Sequence, residues 1–237
     1  MLRSNLLVAI SELANPSVIV TSAYAREGKT SMCVNLAESL AAAGPRVVLV
    51  DLDLRNPDSH RLLDAHNEVG VTDVLLEHRS LEECLQYVEL PAVDTDRPAG
   101  MYFLGTGPQV SSPTELLATP RTGRLLGSLA AQADIVLLDT PPVLPVADTL
   151  VIGRFVAGAV LVVEARRTPV PAVKRAKDAL TRNQTRLLGV VLNKFQAKDV
   201  TYGYGDSFGY GYGYGYGYGS RRPGDEARGN GSDGPGT

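Results

Sequence analysis

The segment 17–31 most narrowly constrains what this chain can fold into. Val18–Thr21 are apolar or β-branched and predict a buried strand. The loop that follows ends in Gly28-Lys29-Thr30, and a helical pattern occupies 32–40. Strand, loop and helix in this order are the context of a phosphate-binding loop, where backbone N–H groups and the helix N-terminus hold phosphate oxygens. Alanine stands at Ala23, where the usual motif has its first glycine, so this motif alone leaves a chance match open.

Two further apolar strands end in aspartates. The strand 47–50 leads into Asp51-Leu-Asp53-Leu-Arg55, and the strand 135–138 leads into Asp139. Parallel strands end at the same edge of a sheet, so these carboxylates should meet the phosphate loop. Carboxylates beside such a loop suit a divalent cation that bridges the β- and γ-phosphates of a nucleotide. Three motifs at three strand ends therefore predict a nucleotide-binding site.

Short apolar strands that alternate with helices predict an α/β fold, a P-loop NTPase fold with a mostly parallel central sheet covered by helices on both faces. The segment 58–90 is mixed and predicts short helices with loops. The remaining predicted elements are helices at 2–14, 113–117, 122–133 and 170–182, and strands at 101–104, 159–163 and 187–192.

The composition changes abruptly at Lys198. Seven of the ten tyrosines alternate with glycine or lie close to that repeat, and these seven are Tyr202, Tyr204, Tyr210, Tyr212, Tyr214, Tyr216 and Tyr218. Glycine makes ordering costly, and the segment lacks the branched aliphatic residues that a core requires. We therefore predict two regions, a P-loop domain at 1–197 and a disordered Tyr/Gly-rich tail at 198–237.

Charge and cysteine content exclude several classes of protein. A formal net charge of −3 gives no basis for nucleic-acid binding. Cys33 and Cys84 lack the spacing of metal ligands and suggest no disulfide framework, which favours a reducing, cytosolic compartment. No apolar run approaches the roughly 20 residues that span a bilayer. Action at a membrane would therefore require a partner that recruits the chain.

Together these motifs resemble the bacterial tyrosine kinases that regulate capsule and exopolysaccharide export. The strand ending in Asp51-Leu-Asp53-Leu-Arg55 is similar to the second acidic motif of that family, and Asp139-Thr-Pro-Pro is similar to its third. The tyrosine tail resembles the family's phosphorylation cluster, and Leu192-Asn193-Lys194 resembles its adenine-contacting segment. The resemblance covers 16–218 and implies a protein-tyrosine kinase that uses ATP and Mg²⁺.

The resemblance also implies roles for individual residues. Lys29 neutralises phosphate charge, and Thr30, Asp51 and Asp139 form the metal site, with Asp139 acting through water. Asp51 is the expected base for the attacking tyrosine, because a free phenol has a pKa near 10. Asp53 shares the metal or this role, and Arg55 either holds the acidic loop or forms a surface ion pair. The expected nucleotide contacts are Ala23, Tyr24, Ala25, Arg26, Glu27, Gly28, Lys29, Thr30, Ser31, Arg55, Asn193 and Lys194.

Several partners follow from the same resemblance. They are further copies of the chain in a ring-type assembly, a separate transmembrane polysaccharide co-polymerase that activates the kinase, and a cognate tyrosine phosphatase. This implies a cytoplasmic protein recruited to the inner face of the plasma membrane. Only 2–6 match the end of the family's assembly helix, so ring formation should be weakened. Tyr24 stands where related partition and septum-site ATPases carry an extra lysine.

Two other functions remain open from the residues alone. One is a P-loop ATPase switch of the partition or septum-site type, whose tail only tethers or adheres. The other is a nucleotide-binding scaffold, which the alanine at Ala23 makes conceivable. The tyrosine cluster favours the kinase. From Lys194, the eight residues to Tyr202 span at most ~28 Å and the 24 to Tyr218 at most ~84 Å, so the acceptors could reach a neighbouring copy.

Overall fold

The computed structural model describes residues 2–11, 16–91 and 99–196. Residues Met1–Gln196 form one compact unit. The predicted Tyr/Gly-rich tail and all seven of its tyrosines lie outside the described residues, so the predictions about them stay predictions.

One seven-stranded sheet forms the centre of this unit, in the order β3-β4-β2-β5-β1-β6-β7. All neighbouring strands are parallel except β3, which runs antiparallel to β4 at one edge. The strands are β1 (Ser17–Ser22), β2 (Val47–Asp51), β3 (Gln86–Leu90), β4 (Ala99–Leu104), β5 (Ile135–Asp139), β6 (Gly158–Glu164) and β7 (Leu187–Asn193). The predicted fold class, a mostly parallel α/β sheet, is confirmed.

Helices cover both faces of the sheet, which gives the unit two apolar cores. Alternate residues of β1 show this division, since Val18 and Val20 pack with α1 and α2 while Ile19 packs with α7 and α9. The helices of the described residues are α1 (Leu2–Ile10), α2 (Lys29–Ala41), α3 (Ser59–Leu62), α4 (Val71–Leu75), α5 (Leu81–Cys84), α6 (Pro113–Leu117), α7 (Pro120–Gln132), α8 (Asp148–Ile152) and α9 (Val170–Arg182). None of these helices has the length and apolar character needed to cross a membrane.

The segment predicted as short helices with loops departs from that prediction in one place. Gln86–Leu90 form the antiparallel edge strand β3, which pairs with β4 from Gln86 opposite Phe103 to Leu90 opposite Ala99. The five residues alternate between partly buried and exposed, the pattern of an edge strand. Helix α8 was also not predicted.

Candidate nucleotide-binding site

The strand ends named by the sequence converge at one edge of the sheet. Asp51 and Asp139 are paired in register across β2 and β5, and β5 is also hydrogen-bonded to β1, which leads into the phosphate loop. All three strands run in the same direction, so their carboxyl ends open at one edge, where ligands of open α/β sheets bind. The predicted convergence of these motifs is therefore present in the fold.

The phosphate loop connects β1 to α2 through strained backbone. Gly28 has φ 89° and immediately precedes α2, while Arg26 has φ 67°. A Cβ at Gly28 would lie 2.2 Å from Nδ2 of Asn193, so a side chain here would displace that amide in addition to straining the backbone. The first N–H groups of α2 have no carbonyl of their own helix to pair with and remain available for an anion.

A cavity of about 760 Å³ opens over this loop. Its size lies in the range of small-molecule sites. Eight of the twelve predicted nucleotide contacts line the cavity, whereas Ala23, Tyr24, Glu27 and Asn193 do not. The full set of lining residues is Ala25, Arg26, Gly28, Lys29, Thr30, Ser31, Asp53, Arg55, Asn56, Asp58, Pro141, Pro142, Pro145, Val146 and Lys194.

Lys29 points into a cluster of carboxylates. Its Nζ lies 2.9 Å from Oδ2 of Asp53 and 3.3 Å from Oδ1 of Asp139, and it donates to Oγ1 of Thr30 at 3.1 Å. Burial by itself would lower the pKa of Lys29, but attraction by Asp139 and Asp53 outweighs that effect and raises the pKa above its ordinary value. Lys29 is therefore held as a cation among the acids.

Asp51 is enclosed by backbone donors. Its Oδ1 accepts a hydrogen bond from the N–H of Asp53 at 3.0 Å, and its Oδ2 accepts one from the N–H of Ser59 at 3.2 Å. Burial and then repulsion by Asp139 raise the pKa of Asp51 from 3.8 to about 7. Burial also raises the pKa of Asp139, against the opposing attraction of Lys29. The two carboxyl groups interact closely enough to compete for ionisation.

The donors around Lys29 fit a magnesium ion. The Lys29 ammonium is surrounded by the hydroxyl oxygen of Thr30 and by carboxylate oxygens of Asp53 and Asp139. Mg²⁺ prefers such hard oxygen ligands together with water and phosphate. Within the described ranges, no three His, Cys, Asp or Glu residues gather to hold a metal by themselves. Asp51 and Asp139, both expected as metal ligands, are fully buried and do not line the cavity, whereas Asp53 does. Asp53 adds a carboxylate beside Lys29, and the ligand roles expected for Asp51 and Asp139 stay predictions.

Ser59, at the start of α3, was not among the predicted site residues. Besides its N–H bond to Asp51, its hydroxyl donates to Oδ2 of Asp139 at 3.2 Å. A fully buried serine therefore links the two acidic strand ends. No sequence motif marked it, because the link depends on a turn that folds α3 back over the end of β5.

Arg55 joins the acidic loop to α8 and α6. It donates to both carboxylate oxygens of Asp148, at 2.7 and 3.1 Å, and to the hydroxyl of Thr114 at 3.0 Å. Asp148 is fully buried, and Thr114 also donates to it. The two-pronged geometry and the burial of Asp148 distinguish this contact from a surface ion pair. Arg55 therefore holds the acidic loop, which was one of the two roles considered for it.

Asn193 and Lys194 approach the loop from the end of β7. Nδ2 of Asn193 donates to the carbonyl of Glu27 at 2.9 Å, and Nζ of Lys194 donates to the carbonyl of Arg26 at 2.8 Å. Lys194 also forms an ion pair with Glu164 at 3.0 Å. Of the two, only Lys194 lines the cavity. The segment predicted to contact adenine thus lies beside the phosphate loop and braces it.

Comparisons with known proteins agree with this geometry. The sequence profile of a family described as an AAA domain matches residues 25–166. The chain is 36% identical to the tyrosine-protein kinase YwqD of Bacillus subtilis over 86% of this chain and 83% of that protein. It is 32% identical to the putative tyrosine-protein kinase EpsB of Ralstonia solanacearum, covering 87% of this chain but only 26% of that protein's length. Among solved structures, the kinase domain of the Escherichia coli tyrosine kinase ETK has a TM-score of 0.77 at 29% identity, covering 90% of this chain and 78% of that one.

Proposed function

The chain belongs to the bacterial tyrosine kinase family, and on that basis we propose that it transfers the γ-phosphate of ATP, with Mg²⁺, to tyrosines of its own C-terminal segment. The acceptors are Tyr202, Tyr204, Tyr210, Tyr212, Tyr214, Tyr216 and Tyr218. The observation that carries the proposal is the cluster of Lys29, Asp53 and Asp139 beside the phosphate loop, in a chain 36% identical to a tyrosine-protein kinase. The family's identity disfavours the alternatives of an ATPase switch and a scaffold.

In this proposal the residues at the cavity bind the phosphates, hold the metal ion or position the phosphate loop. Backbone N–H groups of the loop hold phosphate oxygens, and Lys29 leaves Asp53 and Asp139 to neutralise the β- and γ-phosphates. Thr30, Asp53 and Asp139 would hold the magnesium ion, whose chemical contribution is to neutralise charge that develops on the phosphates. Asn193 and Lys194 position the loop at the side where the base of the nucleotide would lie.

Asp51 is the proposed base for the acceptor hydroxyl. A pKa of about 7 suits a group that must take up a proton at neutral pH. Asp51 is fully buried and Asp53 is the neighbouring carboxylate that lines the cavity, so both need testing as the base. Replacing Asp51 by Asn removes the base while preserving the shape of the side chain. Near-normal labelling of the tail by Asp51→Asn, with ATP and Mg²⁺, would exclude this role, and Asp53→Asn would then test the neighbouring carboxylate.

The acceptor tyrosines are proposed to reach the site of another copy. Seven phosphotyrosines would add roughly −10 to −14 charges to a chain of formal charge −3. Unmodified tails would therefore favour assembly, and phosphorylated tails would repel one another and release it. Transfer between copies predicts that the labelling rate per molecule rises with protein concentration. A rate that stays constant on dilution would instead indicate transfer within one chain.

Incubation with ATP and Mg²⁺ followed by mass spectrometry of residues 198–220 tests the function itself. Phosphotyrosine in this segment is the expected result. Release of ADP without phosphotyrosine would favour the ATPase switch. We further propose that the kinase acts at the cytoplasmic face of a membrane, where a separate transmembrane co-polymerase activates it. A tyrosine phosphatase reverses its action. Together they control capsule or exopolysaccharide synthesis. If neither product forms, adding the cytoplasmic segment of such an activator separates a scaffold from a kinase that lacks its activator.

A further inference from the structure

The outer side of the phosphate loop is fastened to the segment that joins β6 to α9. The carboxylate of Glu27 is buried, with 4% of the residue exposed. It accepts hydrogen bonds from the N–H of Tyr24 at 3.0 Å and from the hydroxyl of Thr168. The Thr168 oxygen in turn accepts from the N–H of Glu164 at 2.9 Å. One threonine hydroxyl therefore links the loop to the end of the neighbouring strand.

Strain in the loop explains why such a link is needed. Arg26 and Gly28 both have left-handed backbone, with φ of 67° and 89°. A non-glycine residue stays in that conformation only where the surrounding contacts hold it there. Glu27 lies between these two residues, so its bonds act on the strained section itself. The carbonyls of Arg26 and Glu27 are also held, by Lys194 and Asn193.

The direction of the Glu27 carboxylate is consistent with a supporting role. A negative charge that faced the cavity would repel a triphosphate, but Glu27 is not among the residues that line it. Its oxygens instead face two neutral donors, a backbone N–H and a hydroxyl. Hydrogen bonds to an ionised acceptor are stronger than those between neutral groups, so a carboxylate holds these donors more firmly than an amide would.

We propose that Glu27 and Thr168 are positioning residues that hold the phosphate loop in its anion-binding conformation before the nucleotide arrives. Neither residue touches the phosphates; both act through the backbone of Tyr24, Arg26 and Gly28. The inference rests on the proposed binding of a nucleotide at this loop. The segment between β6 and α9 would therefore contribute to phosphate affinity, although it is far from the phosphate loop in the sequence.

Two substitutions of Thr168 isolate its hydroxyl. Thr168→Val keeps the shape of the side chain and removes its bonds to Glu27 and to the N–H of Glu164, whereas Thr168→Ser keeps the hydroxyl and serves as the matched control. The full chain would be titrated by calorimetry with inorganic tripolyphosphate in excess Mg²⁺, a probe of the phosphate site alone. We expect Thr168→Val to raise the Kd about tenfold, because the phosphate loop loses the hydrogen bond of the hydroxyl to the charged Glu27, and Thr168→Ser to stay within about twofold of the unmodified chain.

Glu27→Gln provides a second variant that does not depend on how the chain tolerates valine. It keeps one acceptor oxygen and removes the charge, so its Kd for tripolyphosphate should rise between about threefold and tenfold. Tripolyphosphate affinity unchanged in both Thr168→Val and Glu27→Gln would overturn the proposal. A lower Tm with an unchanged Kd would also overturn it, because the pair would then stabilise the fold without shaping the site.

The readout separates this inference from the kinase itself. Tripolyphosphate binding requires no transfer to tyrosine. Binding that depends on Thr168, in a chain that does not label its tyrosines even with the activator segment added, would contradict the proposed function and leave the positioning role intact. If the tail is labelled but Thr168→Val leaves the Kd for tripolyphosphate unchanged, the kinase function would stand and the positioning role would be excluded.

Discussion

The raised pKa of Asp51 predicts that replacing this residue by Asn stabilises the chain at alkaline pH. Asp51 is fully buried beside Asp139, and Lys29 forms ion pairs with Asp139 and Asp53 rather than with Asp51. An ionised Asp51 therefore lacks full compensation for its lost hydration. An amide at the same position carries no charge at any pH. We expect Asp51→Asn to lose tyrosine transfer and, in a separate measurement, to gain stability relative to the unmodified chain as pH rises.

The size of this effect follows from the pKa. Burial and Asp139 raise the pKa of Asp51 from 3.8 to about 7, so the ionised form destabilises the folded chain by about 4 kcal/mol. Between these two pH values the folded chain retains a proton that the unfolded chain has released. The free energy of unfolding therefore falls as pH rises through this window. From pH 5 to pH 8, linkage gives a loss of about 3 kcal/mol that Asp51→Asn should abolish.

Urea denaturation of the nucleotide-free chain at pH 5 and pH 8 measures this difference. The free energy of unfolding of Asp51→Asn, minus that of the unmodified chain, should be about 3 kcal/mol larger at pH 8 than at pH 5. Any constant cost of the amide, which cannot accept from both N–H groups, cancels in this comparison. Asp134→Asn is the control: Arg46 lowers the pKa of Asp134, so both conditions lie above its titration and its effect should not vary with pH. An Asp51→Asn effect equally independent of pH would refute the reasoning.

Two further predictions concern Gly28 in the phosphate loop and Arg55 in the acidic loop. Gly28→Ala should weaken ATP binding more than tenfold, because its Cβ would lie 2.2 Å from Asn193. Gly44→Ala, also at positive φ but with open space around it, is the control and should leave the Kd for ATP unchanged. Equal affinities of the two variants in calorimetry would contradict this prediction. Arg55→Met should lower the free energy of unfolding by about 2–4 kcal/mol because it leaves the buried Asp148 without its cation, and Arg55→Lys by about half as much. Urea midpoints test this, and an unchanged midpoint for Arg55→Met would show that Asp148 does not need the pair.

Much of the architecture could be predicted because strong local patterns coincide with the strands and with the longest helices. The apolar runs at 47–50, 135–138 and 159–163 are strands of the sheet, and the helix predicted at 170–182 has those bounds. Strand β3 and helix α8 were missed; β3 lacks the continuous apolar run of the buried strands, because Gln86 and Glu89 interrupt it. The acidic strand ends could be assigned to one site because parallel strands share their carboxyl edge.

Within the site, the sequence alone determined which residue types were present, namely a glycine-lysine-threonine loop and aspartates at two strand ends. Only the tertiary structure decided that Asp53 rather than Asp51 faces the cavity, that Ser59 joins Asp51 to Asp139, and that Arg55 is anchored on Asp148. Periodicity and motif spacing report on neighbours along the chain. These contacts join residues from 8 to 93 positions apart, and burial and hydrogen-bond geometry at such separations arise only when the loops have folded over the edge of the sheet.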